Sequence, residues 1–363
     1  MKRISSAFIG VVIMAVSARA DSTSYTPAGG YFTLNIQGQS DNQVALPIYQ
    51  KVASFGKVST VSSDKVTVHA KTWNAGDFRV SADTKPGTYY AEFASGALKG
   101  VRYRVLDNSE DTLLLDTEGD DLPAHPSGAV AFDDVVWLRP MWTLSNVFGA
   151  TETDVVLQPK ANPLLPGDSV LTVAPLSVGQ NKAPTGEYSF VRGMGWRATG
   201  DLDTDQSHRP FQVGEPMVVR RINSQSVSVV LLGYVLAGQQ SMYVPGGDGT
   251  NGNDAYVSVI FPEAVSLDAS GLYNTGTPAA GVIHGTGNPL LRADELLGFG
   301  TGIGFNLAPE RSFFYLNGAG WREVGSDSTS VGSDFLLEPG KPYIIRKKKG
   351  NGGVDWIQQA GGH

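Results

Sequence analysis

Tyr188-Ser-Phe-Val-Arg-Gly-Met-Gly-Trp-Arg197 and Phe313-Phe-Tyr-Leu-Asn-Gly-Ala-Gly-Trp-Arg322 follow one pattern, 125 residues apart. Each reads as an apolar strand, a tight Gly-x-Gly turn, and a return strand that opens on Trp-Arg. Downstream, Gly214-Glu-Pro-Met-Val-Val-Arg-Arg221 resembles Gly340-Lys-Pro-Tyr-Ile-Ile-Arg-Lys347 at an offset of 126. Two matched blocks, in the same order and at nearly one offset, predict two related β units over 151–245 and 246–363. A fainter echo, an Asp followed by an apolar strand and a Pro, runs through Asp41–Pro47, Asp154–Pro159 and Asp254–Pro262.

Upstream of these units the alternation has the period of strands. Gly56–Val61 and Val66–His69 flank a polar turn at Ser63-Asp64. Thr88–Phe93 and Val101–Val105 form a second pair, and Thr112–Asp116 and Val135–Arg139 continue the series. Strands at this spacing predict a small β-barrel or sandwich over 24–150. The expected class is therefore all-β: a barrel or sandwich domain, then two related sandwich-like units, with very little helix. Pro289–Gly298 is the segment with a helical look, and Thr143–Phe148 adds one further turn.

Composition agrees. The charged fraction is 17%, there are 44 glycines, and Thr, Ser and Val are abundant, as suits strands joined by tight turns. The first residues read as a signal peptide over 1–20. Lys2 and Arg3 precede the apolar run Ala7–Val16, and Ala18-Arg19-Ala20 fits a small-x-small cleavage site, so the mature start is expected at Asp21. No later run has the length of a transmembrane helix. Cleavage leaves 25 basic against 35 acidic residues, a balance that argues against nucleic acid and anionic membranes as partners. The absence of cysteine removes disulfides and a lipid-modified N-terminal cysteine, and leaves core, ions or assembly to stabilise an exported chain.

Ser40–Pro47, Gly56–Val68, Trp137–Leu144 and the Gly-x-Gly-Trp-Arg blocks resemble a family of exported β-rich proteins common in Verrucomicrobia. The likeness covers most of the mature chain. It carries over no activity and no catalytic residue. It implies a Gram-negative-type exporter and a role in the envelope or outside the cell.

Few residues point to chemistry. Asp201, Asp203 and Asp205 have the alternate spacing by which carboxylates converge on calcium, but Gln206 and Gln212 stand where an EF-hand needs Gly and Glu. A solvated loop is the competing reading, and no other cofactor is expected. Trp196–Arg197 and Trp321–Arg322, with Trp73 and Trp142, would suit a sugar platform, since an aromatic face stacks on a pyranose and Arg donates to hydroxyls. The duplication favours a structural hairpin, with the Trp buried. His69, His125, His208, His284 and His363 are scattered, without paired zinc spacing, and no Gly-x-Ser-x-Gly elbow occurs. The sequence thus favours a non-enzymatic structural, surface-assembly or adhesion protein, self-associating or bound to envelope or matrix components. A carbohydrate-binding module, or a β-scaffold hydrolase acting on polysaccharide, is the alternative.

Overall fold

The computed structural model describes residues 28–69, 72–79, 88–125, 127–173, 178–235, 238–275, 281–300, 303–326 and 329–359. The expected signal peptide lies outside the described residues. Strands β1 (Ala28–Ile36) and β2 (Ser40–Val44) come first, then β3 (Ser54–Val61), β4 (Lys65–Val68), β5 (Tyr89–Phe93), β6 (Arg102–Asn108), β7 (Thr112–Asp116) and β8 (Val135–Pro140). A short β9 (Trp142–Thr143) leads into helix α1 (Leu144–Phe148). Next are β10 (Ser169–Thr172), β11 (Gly186–Val191), β12 (Gly195–Ala198), β13 (Pro210–Phe211), β14 (Met217–Arg221) and β15 (Val227–Val235). The chain continues through β16 (Gln240–Val244), β17 (Asn253–Ser258), β18 (Val265–Ser266), β19 (Glu295–Gly298), β20 (Arg311–Leu316), β21 (Gly320–Glu323), β22 (Leu336–Leu337), β23 (Pro342–Lys347) and β24 (Val354–Gln358). The class is all-β.

β3 to β8 close into a six-stranded barrel in the order β3-β4-β7-β6-β5-β8. Side chains alternate across each strand, so Val58, Val66, Val105, Leu113, Val136 and Leu138 fill the interior with Phe93 and Tyr103. The two strands before the barrel do not join it. β1 pairs with β15, and β2 pairs with β14, far along the chain. The barrel is thus enclosed in sequence by strands of another sheet.

That sheet has the order β12-β11-β10-β14-β2, and a second has the order β21-β20-β19-β23-β17. The Gly-x-Gly-Trp-Arg hairpins are the outer pair of each. Gly193 and Gly195 have φ of 72° and 82°, and Gly318 and Gly320 have 76° and 86°, the left-handed conformation these turns require. Each sheet also has a two-stranded ribbon beside it, β1·β15 and β16·β24. Both sheets contribute to one apolar core, where Trp196, Phe190, Phe313, Trp321 and Ile345 lie buried.

Two matched clasps tie the sheets together. In one, Arg220 donates from Nε and Nη2 to the two carboxylate oxygens of Asp41 at 2.7 and 2.8 Å. The loop between β19 and β20 reaches across: Asn306 N donates to Asp41 Oδ2 at 2.8 Å, Asp41 N donates to Gly304 O, and Arg220 donates to Asn306 Oδ1. In the other, Arg346 makes the same fork to Asp254 at 2.8 and 2.9 Å. Here the loop between β10 and β11 returns the contact, through Asn181 N to Asp254 Oδ2, Asp254 N to Gly179 O, and Arg346 to Asn181 Oδ1. Asn181 and Asn306 share a φ of 51°.

The Asp–strand–Pro echo is thereby divided. Asp41 and Asp254 are structural counterparts, whereas Asp154 caps a surface turn by accepting from Thr151. Thr143 caps α1, with its Oγ1 accepting from Asn146 N. The helical reading of 289–298 is corrected. Asn288-Pro289 starts a turn in which Leu290 N donates to Asn288 Oδ1, and Glu295–Gly298 is the strand β19. Pro289 suits a turn, and Leu296 and Leu297 are buried on opposite faces of a strand, not on one helical stripe.

Asp41→Ala and Asp254→Ala are expected to destabilise the chain equally, by about 2–3 kcal/mol each, because each frees a buried fork while the Arg head still reaches water. The shift in urea midpoint measures it; unequal losses would show that the clasps are not equivalent.

Candidate functional site

A group of buried polar side chains lies where the barrel meets both sheets. Alternation on β5 sends Ala91 and Phe93 into the barrel and Tyr90 and Glu92 out of it. On β8, Leu138 points inward and Arg139 outward, opposite Tyr90. Arg139 Nε donates to Glu92 Oε2 at 2.9 Å, with both side chains almost completely buried. Gln240 of β16 enters from the second sheet's ribbon. It donates to Glu92 Oε1 at 3.3 Å and accepts from Tyr49 Oη at 3.1 Å. Arg102 of β6 donates to the carbonyls of Val213 and Ser241, one from each half. Arg139 also stacks against Trp137.

This constellation is closed to substrate. Burial pushes the Tyr49 phenol from the ordinary 10.0 to about 12, and burial raises Tyr90 as well. Both phenols stay protonated, and Tyr49 serves as a donor to Gln240. Tyr90 Oη and Arg139 Nη2 have no partner among the described residues, so the node is not saturated. Its chemistry is that of a lock: one carboxylate, two guanidinium groups, two phenols and one amide, contributed by three parts of the fold.

The tryptophans read as a platform are buried. Trp196 and Trp321 are 0% and 1% exposed, and the Trp196 Nε1 donates to Gly149 O. Phe190 meets Trp196, and Tyr315 meets Trp321, edge-on. Trp142 donates to Ile48 O, and Trp73 donates to Ser54 Oγ inside the barrel wall. No face of these rings is open to a sugar, which corrects the ligand-stacking reading. Arg197 and Arg322 fold back, each Nη1 donating to the carbonyl of the preceding Trp at 2.8 and 2.9 Å.

Two of the three acids are turned onto their own loop. Asp201 Oδ1 accepts from the amides of Asp203 and Thr204, and Asp205 Oδ1 accepts from Ser207 and Arg197. Hydrogen bonds from Thr204 hold the Asp201 carboxyl below its usual range. Among the described residues no group of three or more His, Asp or Glu side chains is arranged to hold a metal ion.

Two features escaped the sequence reading. His284 Nδ1 lies 2.9 Å from the fully buried Asp294, which also accepts from Lys348 N and Asn351. No hydroxyl among the described residues bonds the His284 ring, and the corresponding Asp168 is held by Arg221 and Gln158 N. The second feature is a pair of Asn-Pro-Leu-Leu tips at 162–165 and 288–291, where Leu164 and Leu290 are 94% and 84% exposed. The repeated tetrapeptide was legible; its exposure was not. A concavity of about 50 Å³ beside Val265 and Trp356 has a single carboxylate, Glu263.

Among the described residues no helix is long and apolar enough to cross a membrane, which does not bear on strands. No family model, no curated protein and no solved structure matches the chain.

Trp196→Ala is expected to cost about 3–5 kcal/mol of stability, as for a large core truncation. Thermal unfolding measures it; a stable variant that had lost glycan binding would restore the platform reading. Above pH 10, stability is expected to fall. The unfolded phenol of Tyr49 ionises near 10.0 while the folded one holds its proton to about 12. Proton loss therefore favours the unfolded chain across that window, by roughly 2 kcal/mol at its upper end. Tyr49→Phe should flatten the decline in an alkaline denaturation series.

Proposed function

We propose that this chain is an exported, non-enzymatic structural protein that works by assembly or adhesion in the envelope or outside the cell. The supporting observation is that its most concentrated chemistry is used internally. The Glu92–Arg139 pair, the carboxylates of both Asp–Arg forks and the tryptophans of the Trp-Arg hairpins are buried, each engaged by neighbours within the fold. Such an arrangement favours rigidity over turnover. The matched sheet orders and matched clasps support a tandem duplication of one β unit, with the barrel inserted after the second strand of the first copy. The Lys2–Ala20 leader and the resemblance to exported proteins support the address, and self-association or envelope and matrix components are the partners that follow.

Cell fractionation with N-terminal sequencing tests this reading. The expected result is a chain starting at Asp21 in the envelope or extracellular fraction, assembled or bound. A soluble periplasmic monomer that turns over a polysaccharide would contradict it.

A further inference from the structure

β1 is hydrogen-bonded along one edge, to β15. Among the described residues no backbone hydrogen bond reaches its other edge. The strand in the same place in the second half, β16, precedes β17 and pairs with β24 as β1 precedes β2 and pairs with β15. Its outer edge is closed by the barrel. Ser241 N donates to Gly100 O at 3.2 Å, and Arg102 donates to Ser241 O at 3.1 Å. The first half has the same edge without that cover.

Open edges in natural sheets carry lysine, proline or bulges that discourage pairing. β1 reads Ala-Gly-Gly-Tyr-Phe-Thr-Leu-Asn-Ile and β15 reads Val-Ser-Val-Val-Leu-Leu-Gly-Tyr-Val, with no charge and no proline in either. The outer face is uncharged too, with Tyr31, Leu232 and Val230 toward one end and Thr33, Asn35 and Ser228 completing it. Tyr31 is 72% exposed, opposite Leu232 at 76%, with Val230 at 60%. A chain of net charge −7 repels its own copies over most of its surface. An uncharged ribbon is a surface on which two copies meet without opposed like charges.

We infer that the outer edge of β1 is an assembly surface whose occupant is a second copy of this chain, β1 against β1, antiparallel across a two-fold axis. The inference rests on the assembly reading above and names its surface. Main-chain hydrogen bonds supply the pairing, and the Tyr31–Leu232 faces of the two copies lie on one side of the joined sheet.

The full mature chain, naturally free of cysteine, allows a clean test by single substitutions Tyr31→Cys, Thr33→Cys and Asn35→Cys under mild oxidation. A two-fold axis through one of these positions brings it onto itself, and an axis through Phe32 or Leu34 sets Tyr31 opposite Thr33 or Thr33 opposite Asn35, which equimolar mixtures of the variants report; a disulfide needs Cα atoms within roughly 7 Å. The expected result is a covalent dimer for one variant or one mixture and little for the others. Tyr31→Lys, at an exposed site that leaves the melting curve unchanged, should raise the dimer dissociation constant at least about tenfold in sedimentation. A dimer that no position crosslinks, or that Tyr31→Lys leaves intact, would overturn the surface while leaving the assembly reading in place. A monomer at every concentration would overturn both. A monomer that sediments with phosphatidylcholine vesicles, and stops doing so on Tyr31→Lys, would give the ribbon to a membrane instead.

Discussion

The fold depends on the paired Asp–Arg–Asn clasps. Each places a carboxylate, Asp41 or Asp254, on the edge strand of one sheet and satisfies it twice: from its own sheet by a guanidinium fork and from the other sheet by an asparagine amide. A desolvated carboxylate is tolerated only with such a complement of donors. Neither sheet supplies the full set alone. The two halves are therefore obliged to meet in one arrangement, and the shared apolar core forms behind that choice.

The barrel is the second constraint. Its chain leaves the first sheet after β2 and returns before β10, so its strands close locally while its ends are held by distant ones. Its outer wall must bury polar groups where it meets the sheets, and Glu92, Arg139, Arg102, Tyr49 and Gln240 answer one another there. Close approach fixes the fit. A Cβ at Gly100 would lie 2.7 Å from the backbone of Gln239 and Gln240, and one at Gly340 would lie 2.5 Å from the Phe32 ring. These contacts spend the chain's ionic chemistry on rigidity, and leave uncharged strands and leucine tips facing outward.

The fold was legible to the extent that it is local. The strand series from Gly56 to Arg139 and the Gly-x-Gly-Trp-Arg hairpins were visible because alternation and turn residues act over short stretches. The burial of Trp196 and Trp321 followed from the same hairpins. What escaped is non-local. Nothing within Ser40–Val44 announces that its partner is Met217–Arg221, since an inserted barrel separates them and strand pairing is written in main-chain bonds common to all residues. The Asp echo contained the clasp, yet Asp154 shares the pattern without the partner. Pro289–Gly298 misled because apolar residues in a short run fit both periods. The candidate site was illegible because Glu92, Arg139 and Gln240 are ordinary residues until three segments converge.

Native-state hydrogen exchange at the amides of Asn181 and Asn306 tests the reciprocal clasp most directly. Both belong to loops, which ordinarily exchange quickly, and both donate to a buried carboxylate of the other sheet. The account predicts protection of both amides comparable to that of β14 and β23, lost together when the fold opens globally. Rapid exchange at either amide, while those strands remain protected, would contradict it.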